Sequence, residues 1–491
     1  MKEALNILMT ASECVPFAKT GGLGDVVGTL PRFLKKAGHN VIVITPLYSF
    51  INREEHNLKV TFDKISVRME YEEIVFSLHE STMRGDVPVY FIDYEPFFNR
   101  SNIYHDDNFV DYQDNPKRFS FLSKAALEVC KLLNFPPDIA HGHDWHTAIL
   151  PAYLKRLYSH DSFFTNTASV LTIHNIAYQG RYDKYYHYYA GLNDEDFTPD
   201  KFECFNAVNF LKGGIYFADA VNTVSKGYAS EIKTPSGGHG LDQSIKSKGD
   251  NFLGILNGAD YGEWDPAKDK LIPSNYNSTN LNGKDLCKKV LQKEFRLLEN
   301  NKIPVIGIIS RMVEQKGFYL LPGCIDQIME SLDVQFAVLG SGDKYLEVFF
   351  SDLEKRFPGK VGTYIGYNNH LAHLIESGSD LFLMPSLYEP CGLNQIYSLK
   401  YGTLPIVRAT GGLKDTVENY DPDTGQGTGF VFWEPSCNSI YNTIKWAVET
   451  FYNRKQHFHD LRKRAMLKNF SWEKSVAEYI KLYKKAMEDK A

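Results

Sequence analysis

This sequence of 491 residues has few cysteines, a small net charge and no long apolar run. The seven cysteines form no Cys-x-x-Cys pair, so neither a zinc site nor a disulfide framework is expected. No apolar run approaches the ~18 residues of a membrane-spanning helix, and the first residues lack a signal-peptide pattern. A net charge of −6 gives no reason to bind nucleic acid or an anionic membrane. We therefore expect a cytoplasmic protein with neither kind of partner.

Two common nucleotide-binding motifs are also missing. The sequence contains neither the G-x-G-x-x-G dinucleotide fingerprint after a strand nor a P-loop. It also lacks short-period repeats and low-complexity tracts. The missing fingerprint and its acidic ribose partner argue against an NAD-linked dehydrogenase.

Two series of alternating strands and helices are present, in a chain too long for one hydrophobic core. Strands of the first series are predicted at Asn40–Thr45, Ile139–His141, Val170–Ile173 and Ala220–Thr223. Those of the second are predicted at 304–309, 336–339, 364–365, 381–384 and 405–407. The expected architecture is α/β, with two facing Rossmann-like domains and a deep cleft between them. The expected domains are residues 1–255, residues 256–470 and a C-terminal helix within 471–491.

Three stretches of the first series have further predictions. The alternation from about Val60 to Tyr104 indicates an antiparallel insertion, and apolar spacing predicts a helix over Asp114–Leu133. Glycines amid charges over Thr234–Asn251 indicate a mobile loop.

The stretch Lys19–Asp25, K-T-G-G-L-G-D, lies between an apolar run and an amphipathic segment. Its glycines permit close approach of a ligand, and a helix that begins there would attract an anion. Lys19 adds a mobile positive charge. The functional interpretation is a phosphate site, and the structural one is a plain strand-to-helix connection.

Two histidine-containing stretches follow predicted strands of the first series. His141–His146 holds three histidines, but no matching carboxylate or cysteine cluster accompanies them, so a polar strand end is favoured over a metal site. There, Asp144 would accept hydrogen bonds from sugar hydroxyls and Trp145 would pack or stack. In the second stretch, His174 is either a general base or a residue that positions substrate by hydrogen bonding.

Similar stretches follow strands of the second series. Ser310–Gly317 offers two cations, Arg311 and Lys316, that could clamp a diphosphate. Pro385–Gln395 places Glu389 at the mouth of a helix, where it could hold sugar hydroxyls. Surface charges on ordinary loops are the structural alternative. The two Asp-x-Asp spacings, at 194–196 and 421–423, are interpreted as surface turns, so no metal site is expected.

Taken together, these motifs resemble the bacterial glycogen synthase and plant starch synthase family over essentially the whole chain. The resemblance rests on Lys19–Asp25, His141–His146, His174–Gly180, Leu256–Asp260, Ser310–Gly317, Glu389–Leu393 and Thr410–Leu413. It implies the GT-B glycosyltransferase fold, with the last helix crossing back onto the first domain. It also implies transfer of α-glucose from ADP-glucose to the non-reducing 4-OH of an α-1,4-glucan such as glycogen or starch, with retention and without a metal or other cofactor.

The resemblance also implies roles for individual residues. The implied catalytic residues are His174, Arg311, Lys316 and Glu389. The implied substrate-binding residues are Lys19, Gly21, Gly22, Asp25, Asp144, Asn257, Gly366, Tyr367, Cys391, Gly392, Leu393 and Thr410. Among them, Gly366 and Tyr367 would lie at the adenine, and the residues from Cys391 to Leu393 would supply backbone donors.

Two positions depart from patterns of this family and its relatives. Residue 394 is Asn where Ser or Thr is usual, which affects one phosphate hydrogen bond, and Tyr397 stands where distant relatives carry a second Glu. Three alternatives stay open: a related transferase that uses UDP-glucose, one with a small acceptor, and an inactive glucan-binding protein.

Overall fold

The computed structural model describes residues 4–108 and 110–490 of the chain. They divide into two compact units. The first comprises Met1–Val224, Ala229–Leu256 and Trp472–Ala491, and the second comprises Ser225–Tyr228 and Asn257–Ser471.

The first unit is built on a nine-stranded sheet with a separate three-stranded sheet. Its strands β1 to β12 are Asn6–Thr10, Asn40–Pro46, Lys59–Arg68, Glu73–Met83, Val87–Asp93, Ile139–His143, Ala168–Ile173, Arg181–Asp183, Glu203–Cys204, Ala207–Asn209, Ala220–Thr223 and Phe252–Gly254. The large sheet has the order β12-β11-β7-β6-β1-β2-β5-β4-β3 and is parallel from β12 to β5. Strands β5, β4 and β3 pair antiparallel, which confirms the predicted antiparallel insertion.

Along the chain, the helices of the first unit alternate with these strands. They are α1 to α9, at Gly22–Lys36, Glu95–Phe98, Asn115–Leu132, Asp144–Thr147, Leu150–Arg156, Tyr185–Tyr189, Phe210–Phe217, Lys226–Glu231 and Asp242–Ser247. Helix α8 begins within the short segment that belongs to the second unit. Helix α9 corrects part of the prediction for Thr234–Asn251, which is not loop throughout. Its apolar residue Ile245 is fully buried and stabilises the helix. The other residues of the helix are polar, so the sequence shows no helical apolar pattern.

The second unit is a six-stranded parallel sheet with helices around it. Its strands β13 to β18 are Val305–Met312, Gln335–Gly342, Val361–Ile365, Leu381–Met384, Leu404–Arg408 and Phe430–Phe432, in the order β15-β14-β13-β16-β17-β18. Helices α10 to α17 are Asn282–Glu294, Ile325–Ser331, Lys344–Arg356, Asn369–Gly378, Asn394–Tyr401, Gly411–Thr416, Cys437–Asn453 and Lys455–Leu467. Apolar side chains from both faces of the sheet form its core.

The last helix, α18 (Trp472–Lys490), belongs to the first unit. Its Trp472 ring stacks on Phe33 of α1, with 6.5 Å between the ring centroids. The hydroxyl of Tyr483 lies 2.9 Å from Nδ1 of His141 in the middle of β6. The C-terminal helix therefore completes the core beneath the strand ends of this unit.

Candidate active site

The predicted motifs lie at the carboxyl ends of parallel strands. In open α/β sheets, ligands bind at this edge, beside the strand where the strand order reverses. That strand is β1 in the first unit and β13 in the second. The motif residues follow β1 (Lys19), β6 (Asp144), β7 (His174), β13 (Lys316), β15 (Gly366), β16 (Glu389) and β17 (Thr410).

The glycine-rich turn after β1 is held by Glu13, a residue that the sequence did not single out. Its carboxylate accepts hydrogen bonds from the backbone N–H groups of Thr20, at 2.7 Å, and Gly21, at 3.0 Å. The hydroxyls of Thr20 and Tyr104 also donate to it, at 2.8 and 2.6 Å. Glu13 is buried, so this carboxylate shapes the turn from inside and occupies the backbone N–H of Gly21, one of the implied substrate-binding residues.

Lys19 and the open face of the turn remain accessible. Lys19 donates to Asp25 with 2.7 Å between Nζ and Oδ1, and its side chain is 46% exposed. A Cβ atom added at Gly21 or Gly22 would meet nothing within 4 Å. The turn therefore has room for a ligand beside both glycines, with a half-exposed cation at its edge.

Asp144 braces the neighbouring strand end. Its backbone adopts the left-handed conformation, with φ of 52°, and the residue is buried. Oδ1 accepts hydrogen bonds from the backbone N–H groups of His174, at 2.7 Å, and Asn175, at 3.3 Å. Burial raises the pKa of the carboxyl group to about 7, although these two donors lower it. Oδ1 thus fixes the turn that carries His174, and a direct sugar contact of Asp144 stays a prediction.

His174 is buried at the end of β7, and burial lowers its pKa to about 3. The ring is therefore neutral near pH 7. Its Nε2 lies 3.0 Å from Nδ1 of His143. Of the two predicted roles, hydrogen bonding is favoured over proton abstraction, because burial makes the ring a weak base and its Nε2 is already held by a neighbour.

The other members of the histidine stretch form part of the core. His141 and His143 lie on β6 with ring centroids 4.3 Å apart. Trp145 packs on Phe119 and Tyr182. Of the two predicted roles for this ring, packing in the core or stacking on a ligand, the structure shows packing. Within residues 4–108 and 110–490, no group of three or more His, Cys, Asp or Glu side chains is placed to hold a metal ion.

The predicted surface turn at 194–196 is wrong for one of its residues, since Asp194 and Glu195 are exposed but Asp196 is not. Asp196 is buried, and its carboxylate accepts hydrogen bonds from the guanidinium of Arg156, at 2.8 and 2.9 Å, and from Lys201, at 3.2 Å. Two cations compensate for the burial of this charge, which the local sequence does not reveal. Asp421 caps a turn by accepting from the N–H of Asp423 at 2.9 Å, as the sequence predicted.

In the second unit, a cavity of about 140 Å³ opens at the carboxyl ends of β13 and β16. It is lined by Ile309, Ser310, Arg311, Lys316, Phe318, Leu383, Met384, Ser386 and Asn394. Lys316 donates to Oε2 of Glu389 at 2.7 Å, and the hydroxyl of Ser386 donates to the same oxygen at 3.0 Å. Arg311 lies on β13 itself, because the strand continues past its predicted end. Its side chain is exposed. Two cations at one cavity suit an anionic ligand such as a diphosphate.

The Lys316 loop is held by close backbone packing. Gly317 has φ of 73°, and an added Cβ would lie 2.1 Å from the carbonyl oxygen of Pro385. The N–H of Leu387 donates to the carbonyl of Gln315 at 2.8 Å. Only glycine fits position 317, and the two loops that carry Lys316 and Glu389 are thereby fixed together.

The loop from Glu389 to Leu393 rests on a second pair of glycines. The N–H of Gly412 donates to the carbonyl of Glu389 at 3.0 Å. A Cβ atom on Gly411 would lie 2.0 Å from that carbonyl oxygen, and one on Gly412 would lie 2.0 Å from the carbonyl oxygen of Cys391. The turn that begins at Thr410, whose side chain is buried, therefore supports the Glu389 loop from behind. Direct contact of Thr410 with a ligand stays a prediction.

Two further segments hold the same loop, and sequence reasoning missed one of them. Ser225 donates to the carbonyl of Pro390 at 2.6 Å, and the N–H of Gly227 donates to Asp415 at 2.7 Å. The backbone N–H of Asn257 contacts the buried thiol of Cys391, whose pKa burial raises to about 12. Oδ1 of Asn257 is buried and has no hydrogen-bond partner in the part of the chain that the structure describes. Ser225 follows β11 in a short polar segment, which was its only sequence signal.

Asn394 shows what the departure from the family pattern does. Its Nδ2 donates to the carbonyl of Ile309 at 2.7 Å, so the side chain ties the start of α14 to β13. A Ser or Thr hydroxyl is shorter and leaves this tie unmade. The donor group of Asn394 is thus engaged with the protein.

The turn after β15 presents an aromatic ring. Gly366 has φ of 139°, and its N–H donates to the carbonyl of Gly340 at 2.9 Å. Tyr367 is 81% exposed. A free aromatic face at a strand end can stack on a planar ligand group.

Comparisons with known proteins cover the whole chain. A family model described as the starch synthase catalytic domain matches residues 6–247, and one described as glycosyl transferases group 1 matches residues 291–466. Glycogen synthase 1 of Geobacter sulfurreducens is 47% identical over 485 residues, which span 98% of this chain and 96% of that protein. The glycogen synthase of Treponema denticola is 45% identical over 492 residues, 99% of each.

A solved structure is similar over the same length. The catalytic domain of starch synthase IV from Arabidopsis thaliana, bound to ADP and acarbose, superposes with a TM-score of 0.91. The two sequences are 33% identical, and the match covers 99% of this chain and 100% of that chain.

Proposed function

The chain belongs to the bacterial glycogen synthase and plant starch synthase family, and on this premise we propose its donor, its acceptor and the roles of its residues. It is a glycosyltransferase of the GT-B fold, and its function is that of a glycogen or starch synthase. The proposed donor is ADP-glucose, and the proposed acceptor is the non-reducing 4-OH of an α-1,4-glucan. The observation that carries the proposal is the cavity lined by Arg311 and Lys316, with Lys316 paired to Glu389.

The second unit is proposed to bind the donor. Arg311 and Lys316 hold the diphosphate, and Glu389 binds hydroxyls of the transferred glucose while it orients Lys316. Tyr367 lies at the adenine with Gly366, and backbone groups of the 391–393 segment complete the sugar site. The ADP in the Arabidopsis structure supports an ADP-linked donor.

The first unit is proposed to contact the sugar and the acceptor. Its contributions are His174, Asp144 and the turn with Lys19, Gly21, Gly22 and Asp25. His174 donates a hydrogen bond to the transferred glucose, which agrees with its neutral ring. The glucan acceptor is supported by the names of the relatives.

The proposed reaction breaks the bond between C1 of glucose and the β-phosphate oxygen of the donor. The acceptor 4-OH forms its new bond to C1 on the face that the phosphate leaves, so the α configuration is retained. The proton of that hydroxyl passes to the departing phosphate oxygen. Negative charge builds up on the ADP, and Arg311 and Lys316 offset it, so the proposal needs no metal.

One assay tests the donor, the acceptor and the metal together. The protein is incubated with glycogen and either radiolabelled ADP-glucose or radiolabelled UDP-glucose, with and without EDTA. We expect label in the polymer from ADP-glucose, at an unchanged rate in EDTA. A preference for UDP-glucose would overturn the donor, and loss of activity in EDTA would overturn the metal-free mechanism. Glycogen binding without transfer from either donor would favour an inactive glucan-binding protein.

A further inference from the structure

Two neighbouring strand ends of the first unit carry histidines whose rings meet. Nδ1 of His143 lies 3.0 Å from Nε2 of His174. Both rings are buried, and burial lowers the pKa of each, so both are neutral near pH 7. Between two neutral imidazoles, one nitrogen must donate and the other must accept. The direction of this hydrogen bond therefore determines which nitrogen of each ring carries the proton.

The other nitrogen of His143 determines that direction. Nε2 of His143 is buried and has no hydrogen-bond partner among the described residues. If Nε2 carried the proton, the protein would bury an N–H group without an acceptor, which is rarer in folded proteins than a buried acceptor without a donor. His143 therefore has its proton on Nδ1 and donates it to Nε2 of His174.

His141, whose ring stacks on His143, cannot supply the missing partner. The hydroxyl of Thr172 donates to Oδ1 of Asn222 at 2.7 Å, so it accepts from Nε2 of His141, also at 2.7 Å. Nδ1 of His141 then accepts from the hydroxyl of Tyr483 at 2.9 Å. Both nitrogens of His141 are engaged, and His143 is left with His174 alone.

We propose that His143 is a positioning residue that holds His174 in the tautomer protonated on Nδ1. His174 then presents an N–H donor at Nδ1 and has no basic nitrogen left, because Nε2 is occupied by His143. Among the described residues, the ring of His174 makes its hydrogen bond at Nε2, and Nδ1 is not among the fully buried atoms without a partner, so this donor is available to a ligand. The tautomer follows from the geometry of the first unit, whereas the contact with the glucose hydroxyl rests on the proposed function.

Two variants of matched shape test the positioning role. The variant His143→Asn places an amide N–H where the Nδ1–H of His143 lies. The variant His143→Leu introduces a side chain of nearly the same shape as Asn that has no hydrogen-bond donor. We expect His143→Asn to keep kcat within about threefold, and His143→Leu to lower it at least about tenfold, the scale of one lost hydrogen bond. The Kd for ADP, measured by calorimetry, should stay the same in both. Equal kcat in the two variants would overturn the proposal.

A spectroscopic readout on the unsubstituted protein keeps the test independent of activity. The protein is labelled with ¹⁵N-histidine, and the signals that His174→Asn removes identify the His174 ring. We expect Nδ1 to show the shift of a protonated nitrogen and Nε2 that of a bare one. The opposite pattern would overturn the proposal even if the protein were an active synthase. The expected pattern in a protein without transferase activity would instead place the failure in the proposed function.

Discussion

Lys316 and Glu389 form a largely buried ion pair at the cavity of the second unit. Their side chains are 17% and 7% exposed, with 2.7 Å between Nζ and Oε2. Removal of either partner leaves the other charge buried and unpaired. Each residue is therefore expected to hold the other in place as well as to contact substrate.

We predict that Lys316→Ala and Glu389→Ala each cost at least ~3 kcal/mol of transition-state stabilisation, because each removes a charged contact that grows in the transition state. Steady-state kinetics with ADP-glucose and glycogen measures the loss as a fall in kcat. Lys344→Ala is the control, since Lys344 is 86% exposed in its ion pair with Glu347 in the same unit. A fall of less than about tenfold in either active-site variant would contradict the assigned roles.

The buried histidines predict how stability changes with pH. Burial lowers the pKa of His141 and His174 to about 3 and that of His143 and His146 well below the usual value. As pH falls below ~6.5, the unfolded chain takes up protons that the folded rings cannot bind. Each ring then lowers stability by up to about 1.4 kcal/mol per pH unit. Asp144 acts in the opposite sense, since its raised pKa favours the folded state as pH falls from about 7.

We therefore predict that stability decreases from pH 6 to pH 5 and that His174→Asn makes this decrease smaller. The variant lacks one buried ring that resists protonation in the folded state. The contribution of that ring to the change of stability with pH is therefore lost. Urea unfolding at the two pH values measures the difference. The exposed His160 gives a control variant, His160→Gln. An unchanged slope in His174→Asn would mean that the ring is protonated in the folded protein.

At the residue scale, the sequence predicted which side chains lie at the strand ends but not what holds them. Lys316 and Glu389 were predictable because each follows an apolar strand. Glu13 was not, since its bonds to Thr20 and Gly21 depend on the conformation of the turn and its bond to Tyr104 joins residues far apart in the sequence. Nor was the bond between His143 and His174, because it requires β6 and β7 to be neighbours.

At the scale of elements, helix α1 contains glycines of two kinds. A Cβ atom on Gly28 would lie 2.6 Å from the carbonyl oxygen of Val15, so this glycine permits the helix to pack on the loop before it. A Cβ atom on Gly22 would meet nothing within 4 Å. Packing explains the first glycine and does not explain the second.

We predict that Gly28→Ala lowers stability by about 1–3 kcal/mol, because the added methyl group overlaps the backbone of Val15. Gly22→Ala should leave Tm unchanged or slightly raised, since alanine favours the helix. It should nevertheless lower kcat/KM at least about tenfold, because the methyl group occupies the space where the donor approaches. Thermal unfolding and kinetics separate the two effects. Full activity in Gly22→Ala would remove the turn from the ligand site.

Element prediction succeeded where apolar residues are continuous and failed where they are not. Strands β11 and β16 match the predicted bounds, and helix α3 matches within one residue at each end. Helix α9 was missed because its one fully buried apolar side chain, Ile245, gives no periodic pattern. Strand β18 is only three residues long and was not predicted.

For the whole molecule, the sequence predicted two parallel α/β units and an antiparallel insertion. It could not predict the strand orders, because these depend on pairing between distant segments. The orders matter, since they place β1 and β13 where the sheets reverse. In the part of the chain that the structure describes, no helix has both the length and the apolar character to span a bilayer. The cytoplasmic location stays a prediction.

This chain is proposed to extend α-1,4-glucans at their non-reducing ends from ADP-glucose. The most direct measurement labels glycogen with the protein and radiolabelled ADP-glucose, then digests the product with β-amylase, which removes maltose from non-reducing ends through α-1,4 linkages. We predict that the label is released early, as maltose. Label that resists this digestion, or glycogen that acquires none, would contradict the claim.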